Sequence, residues 1–107
     1  MMNLFERISI NQAEELINSQ EALVVDVRDP NSFSQGHIED AVRIDNANVQ
    51  AFIDSADKSK PLVVVCYHGN SSQQAAAVLA QQGFEKSYSM DGGMSEWALT
   101  KPVVSGE

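Results

Sequence analysis

The uninterrupted apolar run Leu62-Val63-Val64-Val65 constrains this chain more than any other stretch. With no polar residue in alternation, it predicts a strand buried on both faces, which requires a sheet covered by helices on each side. The residues after it narrow the choice further. Cys66-Tyr67-His68-Gly69-Asn70-Ser71-Ser72 is short and polar. Ala75-Ala76-Ala77-Val78-Leu79-Ala80 then reads as a helix whose small side chains let it lie close to the sheet. Strand, tight loop and helix follow one another, with the single cysteine of the chain where the strand stops.

The remaining sequence repeats the alternation. Ile8-Ser9-Ile10 reads as a short strand, and Asn11 with Glu14 three residues on makes a capping-box pattern for a helix to about Ser19. Ala22–Val27 is a second apolar strand. Pro30 suits the first turn of a short helix through Gln35, which Gly36 stops. Ala41–Ile44 is a strand, and Val49–Asp57 a helix with Ala51, Phe52, Ile53 and Ala56 inward. A helix over Ser71–Gln82 is ended by Gly83, a strand covers Lys86–Met90, and Gly93–Leu99 forms a last helix. Residues Lys101–Glu107 read as a loose tail. This order predicts an α/β fold in one domain over residues 1–107, a parallel sheet with helices on both faces. Ligands in such folds sit at the carboxyl ends of the strands. Cys66, Arg28-Asp29 and Asp91-Gly92-Gly93 all fall at such ends and can share one rim.

A cysteine between a strand and a helix start can be an active thiolate. Backbone N–H groups converge there, and the helix terminus adds positive potential. The terminus is worth ~0.3–1 kcal/mol and a charge-assisted hydrogen bond ~1.5–3 kcal/mol. About 1.4 kcal/mol lowers a pKa by one unit, so one or two donors make the thiolate substantial at neutral pH. Gly69 leaves the cradle open and can take positive φ. Ser71 or Ser72 can cap the helix and turn a hydroxyl on the sulfur. Tyr67 and His68 are expected to point outwards, with His68 the one side chain of the loop able to carry positive charge. A buried inert cysteine is the competing reading.

Net charge restricts the partners. At −8 over 107 residues the chain is poorly suited to nucleic acid or an anionic membrane, and its overall field repels anionic substrates. Anion binding must then rest on local N–H donors. One cysteine cannot form an internal disulfide and fits a reducing, cytoplasmic setting. One Cys and two separated His, His37 and His68, fall short of a metal site. Residues Met1–Arg7 lack the basic and apolar regions of a secretory signal.

Four stretches together carry a family resemblance. Cys66-Tyr67-His68-Gly69-Asn70-Ser71 resembles the active-site loop of the rhodanese family. Asp26-Val27-Arg28-Asp29, Gly36-His37-Ile38 and Asp91-Gly92-Gly93 with Trp97 agree with that family in order and spacing. Within it the chain is similar to the short single-domain thiosulfate sulfurtransferases. The resemblance implies a rhodanese-like sheet of about five strands and a persulfide on Cys66. It further implies thiosulfate as donor, cyanide or a dithiol such as thioredoxin as acceptor, and no cofactor. Tyr67, His68, Gly69, Asn70 and Ser71 would bind substrate, with Ser72, Arg28 and Asp29 in support. For Arg28 the favoured role is a clamp on a rim carboxylate such as Asp26. His37 is expected to bond backbone, and Trp97 to pack in the core. Cysteine phosphatases, the rivals on related folds, need an arginine where Ser72 stands. A persulfide relay between proteins and a non-catalytic binding module also compete with the sulfurtransferase reading.

Overall fold

The computed structural model describes residues 5–106. Met1–Leu4 and the tail residue Glu107 lie outside the described residues. The elements are β1 (Glu6–Ile8), α1 (Ile10–Gln20), β2 (Leu23–Asp26), α2 (Pro30–Gln35) and β3 (Val42–Arg43), followed by α3 (Val49–Ser55), β4 (Leu62–Val65), α4 (Ser71–Gln81), β5 (Ser87–Met90) and α5 (Gly93–Thr100). The strands form one sheet in the order β1-β5-β4-β2-β3, and every pairing is parallel. All carboxyl ends therefore open on the same rim.

β4 sits in the centre, and all four of its residues are buried between the two layers. Val63 and Val65 enter the cluster built with Ala13 of α1 and with Met94 and Trp97 of α5. Leu62 and Val64 enter the opposite cluster, with Ile53 of α3 and with Ala76 and Leu79 of α4. None of the four is exposed at all. At ~1.5–3 kcal/mol for each fully buried aliphatic side chain, this run is a large part of what holds the layers together. Ala76 is also fully buried, in line with an alanine-rich helix lying close on the sheet.

Several boundaries differ from the sequence reading. The first strand ends at Ile8, opposite Met90, so the chain is free to turn at Ser9. Ser9 is therefore the cap of α1, and its capping box closes with Gln12 instead of Asn11 with Glu14. Ala51 is on the exposed side of α3, while Phe52 and Ile53 pack inward. The segment after α5, expected to be a loose tail, is tied to the rim. Val104 exchanges both backbone hydrogen bonds with His37, the Gly106 N–H reaches Ser34 O at 2.8 Å, and Trp97 Nε1 donates to Pro102 O at 3.0 Å. Terminal segments are loose unless tied down, and here backbone pairing ties this one.

Candidate active site

Cys66 lies one residue past β4 and is only 4% exposed. Its sulfur accepts the Gly69 N–H at 3.1 Å and the Ser72 N–H at 3.3 Å. Ser72 Oγ is 3.3 Å away as well, and the His68 N–H is also directed at the sulfur. Burial pushes the thiol pKa up. The Ser72 hydroxyl and the N–H groups of Ser72, Gly69 and His68 outweigh burial and leave it below its ordinary value. The anion cradle expected from sequence is thus present.

The loop can aim its N–H groups inwards because its carbonyls are occupied elsewhere. Cys66 O accepts from the Met94 N–H at 2.8 Å and Tyr67 O from the Ser95 N–H at 2.9 Å. The first turn of α5 supplies both donors. Gly69 O takes Gln73 Nε2 at 3.0 Å, and Asn70 O takes the Gln73 N–H at 3.2 Å. Two glycines make this approach possible. Gly69 has φ +92°, and a Cβ there would lie 2.9 Å from Gly92 N. Gly93 has φ +63°, and a Cβ would lie 2.7 Å from Cys66 O. Both positions exclude a side chain by conformation and by space.

Tyr67 and His68 point outwards as expected. Tyr67, His68, Asn70 and Ser71 are exposed, whereas Gly69 and Ser72 are buried. Tyr67 is 52% exposed and leans on the His68 ring, with centroids 4.7 Å apart. His68 Nδ1 is 3.3 Å from Ser95 Oγ. The capping role expected of Ser71 or Ser72 is not observed. Asn70 is the cap residue of α4, and no side chain caps it. The Ser72 hydroxyl goes to the sulfur, and the sulfur takes the N–H that a cap would have taken.

Arg28 and Asp29 do not bond the cysteine. Arg28 clamps the fully buried Asp26, with Nη2 2.7 Å from Oδ2 and Nε 3.0 Å from Oδ1, and donates to Gly36 O at 2.8 Å. It shares the wall of a cleft of about 250 Å³ with Tyr67, so the clamp stands beside the loop without reaching the sulfur. Asp29 caps α2 through the Ser32 N–H and hydroxyl, and those two bonds hold its carboxyl below the usual carboxylate range. His37 is structural. Its Nδ1 meets Phe33 O at 2.7 Å, which places the ring hydrogen on that nitrogen, and its ring stacks on Phe33 at 3.8 Å. Trp97 packs in the core at 4% exposure.

The rhodanese-like domain family matches residues 9–100. This chain belongs to the rhodanese family. Its relatives include the thiosulfate sulfurtransferase GlpE of Ectopseudomonas mendocina, 54% identical over 99% of this chain and 96% of that protein. The GlpE of Shewanella oneidensis is 49% identical over 90% of this chain and 95% of that protein. Among solved structures, the rhodanese-related protein of Thermoplasma volcanium superposes with a TM-score of 0.78 at 28% identity, covering 94% of this chain and 98% of that one. The rhodanese-like domain of the Anabaena protein Alr3790 gives 0.80 at 23% identity, covering 98% and 80%, and so shares the fold.

Within this rhodanese site, sequence reasoning missed two contributors, Ser95 and Ser89. It placed Gly93 at a helix start on the shared rim, but the contact of Gly93 with the loop carbonyls is invisible without the packing of α5 on the loop. Ser95 gives its N–H to Tyr67 O, but nothing in its sequence setting marks it. Ser89 sits on β5 with its hydroxyl 2.8 Å from Ser72 Oγ. Two serines, Ser87 and Ser89, on the inward face of a strand were the available signal.

Proposed function

We propose that this chain acts as one rhodanese domain that transfers the sulfane sulfur of thiosulfate through a persulfide on Cys66. The observation that carries this is the buried sulfur under convergent donors, with the Gly69 N–H at 3.1 Å, the Ser72 N–H at 3.3 Å and the Ser72 hydroxyl. The thiolate attacks the outer sulfur of thiosulfate and forms a new S–S bond. The original S–S bond breaks, and sulfite leaves with the electron pair. The persulfide anion on Cys66 is stabilised by preorganised donors of the same kind. Cyanide, or one thiol of a dithiol such as thioredoxin, then takes the outer sulfur, and Cys66 leaves as the thiolate. No step needs a metal or an organic cofactor.

Tyr67, His68, Asn70 and Ser71 are exposed, which supports a role for them in meeting the incoming donor, while Gly69 supplies backbone. Ser72 belongs with the sulfur. Arg28 and Asp29 act by holding the rim. A net charge of −8 gives thiosulfate no long-range attraction, so its binding rests on these local groups. A catalytic thiol must stay reduced, which supports a cytoplasmic location. No described helix is long and apolar enough to cross a membrane.

The test is direct because Cys66 is the only cysteine. Protein incubated with thiosulfate and no acceptor is expected to gain the mass of one sulfur atom. Cyanide or a dithiol then restores the starting mass. If thiosulfate leaves the mass unchanged while a protein persulfide loads it, the chain is a relay. If neither loads it, the domain is a binding module.

A further inference from the structure

Two serines on β5 point at the same helix, and the contrast between them is informative. Ser87 is 3% exposed and donates its hydroxyl to Ala76 O of α4 at 2.8 Å. That bond ends on backbone and does nothing beyond satisfying the serine. Ser89 follows two residues on, on the same face of the strand, and is fully buried. It meets α4 one turn earlier, at Ser72, and its partner is a hydroxyl instead of a carbonyl.

A serine hydroxyl has one hydrogen to give, and burying it without an acceptor is costly. Among the described residues the hydrogen-bond partner of Ser89 Oγ is Ser72 Oγ at 2.8 Å. Ser89 must therefore donate to Ser72. Ser72, itself fully buried, accepts that hydrogen and has its own left over. Its remaining partner is Cys66 Sγ at 3.3 Å: a neutral thiol donates to Ser72 Oγ, whereas an ionised sulfur accepts the Ser72 hydrogen. For the thiolate the direction of the chain follows: Ser89 to Ser72 to sulfur. The opposite direction leaves the Ser89 hydrogen without an acceptor.

We propose that Ser89 is a positioning residue of the sulfur site, whose hydroxyl fixes the Ser72 hydroxyl with its hydrogen on Cys66 and so favours a sulfur that accepts. It touches neither substrate nor sulfur and acts wholly through Ser72. A donor polarised by a second donor behind it is the stronger one in a buried site. The same arrangement serves the thiolate before loading and the inner sulfur of the persulfide after it.

This role rests on the thiolate site proposed above, but no sulfur donor is needed to test it. Alkylation of Cys66 followed against pH reports the thiolate fraction directly, so failure here is distinct from failure of the transfer reading. Ser89→Ala is expected to move the midpoint of the profile upwards. The alkylation rate well below the midpoint would fall about threefold, corresponding to roughly half a pKa unit. Ser87→Ala removes an equally buried hydroxyl from the same strand and is expected to leave the midpoint in place. The titratable side chains on the surrounding elements, among them Tyr67 and His68 of the loop, Tyr88 on β5, Asp91 after it, Glu96 on α5 and Arg28 after β2, are the same in both variants. Ser72→Ala is expected to raise the midpoint further, and adding Ser89→Ala to it should then change nothing. Ser89→Thr keeps the hydroxyl and should hold the wild-type midpoint, which gives a reading even if the alanine variant does not fold. The proposal is overturned if Ser89→Ala leaves the midpoint unmoved, if Ser87→Ala moves it equally, if Ser89→Thr moves it as alanine does, or if the Ser89 effect persists without Ser72.

Discussion

Two junctions at the rim of the sheet have the same construction and opposite outcomes. β2 and β4 are neighbouring central strands in register, with Asp26 opposite Val65. Each runs into a short polar loop and then a helix. After β2 the loop satisfies itself. The Asp26 carboxylate takes the Arg28 N–H and guanidinium, and the Asp29 carboxylate caps α2. After β4 no side chain caps α4, and the loop N–H groups collect on the sulfur. Local satisfaction makes the first junction an inert brace. The second becomes reactive because its donors are left for whatever anion occupies the cradle. The presence of a strand end and a helix start does not make a site. What the side chains already claim decides it.

The largest expected effect tests the reactive junction. Cys66→Ser should lower turnover with thiosulfate and cyanide by at least about a thousandfold while circular dichroism stays native. The serine fits the space of a 4% exposed side chain but gives no comparable nucleophile. Near-normal turnover would remove the sulfur from the mechanism.

The inert junction should fail in the other quantity. Arg28→Ala leaves the fully buried Asp26 without its cation and is expected to cost ~3–5 kcal/mol of stability. Turnover per folded molecule should stay within about threefold of wild type, since Arg28 makes no bond to the cysteine. Denaturant unfolding and an active-site titration measure the two separately. A stable variant with collapsed turnover would put Arg28 in the catalytic machinery.

A smaller loss of stability is expected from Asp29→Ala, which removes the cap of α2. Its pH dependence is specific. The folded carboxyl sits below its ordinary value because of Ser32, so the folded state holds fewer protons than the unfolded one. The contribution is present above the unfolded value of about 4 and fades as pH falls through the folded one. The difference between Asp29→Ala and wild type should therefore shrink in acid. A difference that is constant with pH would mean the cap is not ionic.

The smallest effect sharpens the comparison most, because the same linkage acts on the other junction in a different window. The Cys66 thiol is also lowered in the folded state. Its contribution is complete above the unfolded value of about 8.5 and is lost as pH falls through the folded value. Wild type should gain in Tm on Cys66→Ser as the pH is raised towards the unfolded thiol value, because the folded state gives up the proton first. An offset unchanged by pH would mean that the loop N–H groups do not hold the charge. Each junction thus carries its own titration, one acidic and one near the thiol range.

Much of this was legible beforehand. The unbroken Leu62–Val65 run, bounded by Pro61 and a polar loop, reads as a two-faced strand, and the alternation of strands and helices along the chain pointed to a parallel sheet with helices on both sides. Cys66 before Gly69 and a helix start announced the cradle, and Pro30 and Gly36 bracket α2 as their residue types predict. The displaced cap of α1 shows the limit of such signals. Ser9 and Asn11 are both acceptable caps by type, and the choice was made by where Ile8 pairs with Met90.

What the sequence by itself determined is the set of local conformations and the residue able to react, because periodicity, turn chemistry and thiol chemistry act over a few neighbours. What only the tertiary structure decided is how the reactive loop is held. The strand order β1-β5-β4-β2-β3 brings β5 and α5 against the loop. There Met94 and Ser95 draw off its carbonyls, Gly93 lets them come close, and Ser89 stands behind Ser72. These contacts join residues far apart along the chain. Their strength depends on distances that no local propensity encodes, and on burial that removes water as the alternative partner.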